Sequence, residues 1–202
     1  MAFRHGQNEA AERGLAELRG YWEALRDGGA VPSRDRIDPR GIAGVLERAF
    51  LIERIAPGLA RLRLAGVALT DLMGMEVRGM PLSALFLPEA RLRLAAAVEP
   101  VFAGPAILDA RIEGETGWGR PAFSARMVVL PLTGAGGAVD VAIGALALPP
   151  ETGRAPRRLS LTRAVHERLG LAMAPVAPAF AEPPRPWRAP PGRAHLRLVK
   201  SE

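Results

Sequence analysis

At 202 residues and 49% apolar side chains, the chain carries enough material for one well-formed core with appendages. It has no cysteine, which excludes disulfides, thiolate metal sites, cysteine nucleophiles and cysteinyl flavin adducts. The net charge of +6 resides in residues 151–202, with ten basic and four acidic side chains, while residues 1–150 hold seventeen of each and are formally neutral. A folded part without excess charge argues against nucleic acid as the main partner, although the basic tail could touch an acidic surface. No apolar run approaches the roughly 20 residues that cross a bilayer. The start, Met1 to His5, leads into polar sequence, so a soluble, cytoplasmic protein is expected.

Residues 9–27 read as an amphipathic helix. Ala11, Leu15, Leu18, Trp22 and Leu25 recur at spacings of four, three, four and three, and Gly28-Gly29 supplies the stop. Such a stripe needs a partner, either the domain's own sheet or a second copy of the chain. Asp38-Pro39 has the form of a helix start, with Asp capping and Pro in the first turn, ahead of Ile42, Val45 and Leu46. Residues 50–55 read as a strand, Pro57-Gly58 as a turn, and Arg61-Leu62-Arg63-Leu64 as a returning strand with one dry face.

Gly66, Gly74 and Gly79 punctuate short apolar pieces, which suits short helices joined by tight turns. Pro88 opens a firmer helix to about Phe102. Three strands follow, over approximately 106–113, 121–131 and 139–148. Hairpin connections between neighbours favour an antiparallel sheet. In the tail, Ser160, Leu161, Val165, Arg168 and Leu169 fit a short helix over 160–171. Residues 174–192 are too rich in Ala and Pro for a regular element, and 195–200 are too few to establish a strand.

This order of elements, with three local sequences, resembles a PAS domain, and in particular the PAS-like family of small stand-alone proteins found in alphaproteobacteria. The first sequence is Leu18-Arg19-Gly20-Tyr21-Trp22-Glu23-Ala24-Leu25-Arg26. The second runs from Val31-Pro32-Ser33-Arg34 through Ile37-Asp38-Pro39-Arg40. The third is Arg63 to Leu69 followed by Met73 to Gly79. The resemblance spans roughly residues 15–150. It implies an α+β fold with a five-stranded antiparallel sheet, flanking helices and a central pocket, used to sense small molecules or to bind proteins in signalling. Relatives are often free of a catalytic output domain. The expected organisation is a helical extension over 1–30, a PAS-like domain over 31–150, and a basic, irregular, proline-rich extension over 151–202 carrying the short helix.

Candidate sites are sparse. Haem requires an axial ligand such as His, and His5, His166 and His195 all fall outside the expected sheet domain. Met73, Met75 and Met80 suit gap filling. Three scattered His residues form no metal-ligand motif. Noncovalent flavin is not selected by any residue. Asp35 and Asp38 read as turn and cap residues. Ser83 and Ser124 have no base nearby in sequence, and Thr133 to Ala138 is glycine-rich without a phosphate-loop lysine.

Arg126, in an apolar strand, must reach solvent, pair with an acid or bind an anion, with Asp109, Glu53 and Ser124 as candidate neighbours. Trp118, between Gly114 and Gly119, and the helix residues Leu15, Leu18, Tyr21, Trp22 and Leu25 are interface candidates, the latter for a homodimer or for packing within the chain. The functional expectation is a non-enzymatic sensory or interaction module, signalling through helix packing or dimer geometry on meeting a small molecule or a signalling protein. A small-molecule enzyme using the α+β pocket is the alternative, and nucleic-acid regulation through the tail a weaker one.

Overall fold

The computed structural model describes residues 2–170, with side chains from Ala10 onward. The expected irregular segment over 174–192, the stretch 195–200 and His195 lie outside the described residues, as does the side chain of His5. Helix α1 (Ala2–Ala24) covers most of the expected stretch 9–27, beginning earlier than its apolar stripe and ending before Leu25. Gly28 and Gly29 follow with φ of 57° and 84°, the left-handed conformation that glycine adopts without a Cβ clash.

Strands β1 (Ala49–Ala56) and β2 (Leu59–Ala65) form a hairpin around Gly58. Helix α2 (Val67–Met73) ends on the left-handed Gly74, and a 3-10 turn spans Leu82–Leu85. Helix α3 (Arg91–Ala103) follows a 3-10 turn begun by Pro88. Strands β3 (Ala106–Gly114), β4 (Ser124–Thr133) and β5 (Val139–Ala147) then run antiparallel to one another's neighbours. The glycine-rich run 133–138 is the β4–β5 connection, closed by the bond from Gly134 N–H to the Ala138 carbonyl at 2.9 Å.

Two expectations are corrected. Residues 160–171 do not form a helix: β6 (Leu159–Arg168) is a strand, paired antiparallel with β3, so the sheet has six strands where five were expected. The strand order is β2-β1-β5-β4-β3-β6. Without β6, the edge of β3 would be left unpaired beside the core residues Leu108, Ala110 and Ile112, and pairing it satisfies that edge. The spacing of four between Leu161, Val165 and Leu169 imitates a helix but is outweighed by this ladder.

The strict alternation of β2 also breaks. Leu51 faces Leu64 whereas Ile52 faces Leu62, so Arg63 is the extra residue of a bulge. Leu62 is fully buried, while Leu64 turns to the opposite face and is 54% exposed.

The sheet separates two cores. On its inner face, α2, the 82–85 turn and α3 pack against Phe50, Ile52, Leu62, Met127, Val129 and Leu146. On its outer face, Ala11, Leu15, Leu18 and Trp22 of α1 pack against Leu51, Val128, Leu130, Val141 and Ile143. The indole N–H of Trp22 donates to the Pro131 carbonyl at 2.8 Å. Asp38 caps the 3-10 turn Pro39–Ile42 by accepting from the Arg40 N–H at 2.9 Å. Tyr21 ties that segment to α1: its hydroxyl accepts from the Asp38 N–H at 2.7 Å and donates to the Arg36 carbonyl at 3.3 Å.

Candidate functional site

The outer face is only partly covered by α1. Beside the helix, over β3, β4 and β6, lies an open groove of about 670 Å³. Side chains reach it because alternate residues of a strand share one face. From β3 come Asp109, Arg111 and Glu113, from β4 Ser124 and Arg126, and from β6 Arg163, Val165 and Glu167, with Glu12 and Arg19 closing the helix side.

Arg126 is the hub. Its Nε–H donates to Asp109 Oδ1 at 2.9 Å, its Nη2 contacts Asp109 Oδ2, and its Nη1 donates to Glu12 Oε2 at 2.9 Å. The fork on Asp109 is bidentate, the strongest geometry for this pair. Bonding to Asp109, and secondarily to Glu12, raises the Arg126 pKa against an opposing effect of partial burial, so the guanidinium stays charged. A second contact joins α1 to the sheet across the groove, from Arg19 to Glu167 at 2.6 Å.

Of the neighbours expected for Arg126, Asp109 is in contact, Ser124 lines the same groove two residues along, and Glu53 is elsewhere. Glu53 pairs in register with Val141, which faces Leu132, six residues up β4 from Arg126. Its partner is Arg63, whose hydrogen bond lowers the Glu53 pKa. Sequence reasoning missed Glu12, Arg19, Arg163 and Glu167. Glu12 is adjacent to the apolar stripe and so flanks the helix–sheet seam. The two β6 residues were hidden by the helical reading of that segment.

The interface candidates separate into two groups. Leu15, Leu18 and Trp22 are buried within the chain, and Tyr21 and Leu25 are half-buried. The stripe packs on the chain's own sheet. Trp118 is 87% exposed, with the Arg154 guanidinium 5.8 Å from its ring centroid.

The loop carrying Trp118 is braced from beneath. Buried Arg157 donates through Nη2 to the carbonyls of Glu115 and Pro121 at 2.7 and 2.8 Å, and its guanidinium lies 4.7 Å from the Phe123 centroid. Burial lowers its pKa, partly offset by Glu115. Its Nε and Nη1 have no partner among the described residues.

His166 donates Nε2–H to the Ala97 carbonyl at 2.7 Å, a structural contact between β6 and α3. Met73 is buried in the inner core, Met80 packs on that core, and Met75 is 53% exposed. Among the described residues, no three His, Asp or Glu side chains gather closely enough to hold a metal ion. No described helix is long and apolar enough to cross a membrane.

Comparison with known proteins adds the family. No curated protein matches the chain. A family model described as PAS domain matches residues 11–147, from the buried start of the α1 stripe to the last residue of β5. The α+β architecture, with its antiparallel sheet and flanking helices, accords with that match, and the chain belongs to the PAS domain family.

Proposed function

We propose that this PAS domain is a non-enzymatic signalling module that works by contact, with α1 as the responding element. One observation carries the reading: polar groups converge on the outer face beside α1, whereas the inner face is filled with apolar side chains. A small-molecule site combines an apolar wall with a few convergent polar groups. Phe50, Leu62, Leu72, Met73, Phe86 and Met127 fill the inner space and are all buried.

Helix α1 is held by its apolar stripe, by Trp22 and by two charged contacts at the groove, Arg126 with Glu12 and Arg19 with Glu167. Those charged contacts are partly exposed and individually weak. A partner or solute that engages the groove shifts the balance of docked and loosened α1 through unequal affinity for the two. A homodimer through Leu15, Leu18 and Trp22 requires α1 to leave its own sheet, because those side chains are already buried there.

Native mass spectrometry of the full chain, beside sedimentation equilibrium at micromolar concentration, tests this reading. The expected result is the bare polypeptide mass and a monomer. A stoichiometric apolar ligand, identified in the mass released by denaturation, would fit the apolar inner core rather than the polar groove and overturns the reading.

A further inference from the structure

Three arginines stand abreast on the outer face. Arg111 of β3 is in register with Arg126 of β4 on one side and with Arg163 of β6 on the other. Neighbouring strands lie about 4.8 Å apart, so the three side chains leave the sheet within about 10 Å. Like charges directly opposite one another destabilise a sheet. Arg126 is relieved by Asp109 and Glu12. Arg111 and Arg163 have no ion pair among the described residues.

A bulge creates this arrangement. The β3–β6 register shifts between Arg111 and Ile112: Ile112 faces Leu161, Arg111 faces Arg163, and Thr162 is the extra residue. In an unbroken ladder Thr162 would face Arg111, and Arg163 would face Ala110 and point into the inner core. The Thr162 hydroxyl donates to the Arg111 carbonyl at 3.1 Å, which fixes the bulge. Bulges re-aim side chains in this way beside functional sites.

We propose that Arg111 and Arg163 bind the phosphate group of a small solute in this groove. A single carboxylate occupies a single guanidinium fork, as Asp109 does on Arg126. Two open forks side by side match the several oxygens and the double charge of a phosphate. The groove volume of about 670 Å³ is on the scale of a small-molecule site. Two carboxylates flank the pair. Asp109, one register step along, has both oxygens on Arg126. Glu113, one step the other way between Ser124 and Ser160, competes with an incoming anion. The proposal deepens the reading above, since it names the solute for the same groove.

The test is amide-resolved NMR titration of the full chain at constant ionic strength, with inorganic phosphate, glycerol phosphate and acetate as probes against chloride. Phosphate is expected to give saturable shifts at residues 111 and 162–163. Arg111→Gln and Arg163→Gln each weaken it about tenfold or more, the loss of a charged hydrogen bond. Glu113→Gln tightens it. Tighter binding of glycerol phosphate assigns the groove to a phosphate monoester, and equal binding to free phosphate; both support the site.

Absence of saturation overturns the proposal, as do unchanged midpoints in both arginine variants or acetate binding as tightly as phosphate. Preserved amide dispersion establishes that the exposed-site variants fold. Hydrogen exchange of α1 in the same samples separates the two ideas: phosphate binding with α1 protection unchanged keeps the site and removes the signalling reading.

Discussion

Trp22 and Pro131 meet across 109 residues of sequence, the indole of α1 donating to a carbonyl of β4 at 2.8 Å inside the outer core. The contact joins the hydrophobic stripe to the sheet at one fixed point. The partly exposed ion pairs of the groove lie elsewhere along the same seam, so α1 has one buried polar anchor and a partly exposed charged margin.

Replacing Trp22 with Phe keeps most of the apolar volume but leaves the Pro131 carbonyl without its donor. The expected cost is about 1–3 kcal/mol, the penalty of an unsatisfied buried polar group. Trp22→Ala adds a cavity and should cost about 3–5 kcal/mol. Urea denaturation measures both, and an unchanged midpoint in Trp22→Phe would remove the anchor from the account.

Gly144 sits in β5 where an added methyl group would meet Phe50 Cζ at 2.5 Å and the Val128 carbonyl oxygen at 2.6 Å. Gly144→Ala should therefore destabilise by about 1–3 kcal/mol through overpacking. Gly136→Ala, with nothing within 4 Å of the new methyl group, is the control and should leave the thermal midpoint nearly unchanged.

The long-range order of the fold was legible where side chains repeat with one clear period. The stripe from Ala11 to Trp22 follows that rule, whereas β4 and β5, buried on both faces, were legible as apolar runs bounded by turn residues. Strand β6 was not legible, because Leu161, Val165 and Leu169 carry a helical spacing and only the open edge of β3 decides the outcome. Leu64 escaped because a bulge at Arg63 is a property of paired strands rather than of one strand's pattern. Arg126 and Asp109 were visible as neighbours on adjacent strands. Glu12 was not, since its bond to Arg126 joins residues 114 apart.

Arg157 is buried by its contacts with the loop beneath Trp118. Arg157→Ala removes a charged donor from the carbonyls of Glu115 and Pro121 and should cost about 2 kcal/mol or more. Arg157→Lys should recover little, because one ammonium replaces a planar fork stacked near Phe123. Hydrogen exchange over residues 115–123 is the local readout, and unchanged protection there would contradict the bracing role.

The Glu53 carboxyl is held below its usual value of 4.5 by the hydrogen bond from Arg63. A lowered folded-state pKa contributes stability above the unfolded value, and that contribution disappears as pH falls through the folded value. The thermal midpoint of Glu53→Gln should therefore trail the parent at pH 7 and converge with it in strong acid. The gap should also shrink in high salt, since the pair is exposed. A gap independent of pH would show that the effect is not electrostatic.

We infer that the ion pairs of Arg126 help to hold α1 on the sheet. Hydrogen–deuterium exchange of the full chain, comparing the parent with Arg126→Met, measures this directly. Arg126→Met is expected to exchange faster across α1 residues 11–24, with β3, β4 and β5 as protected as before. Equal protection of α1 in both proteins would contradict it.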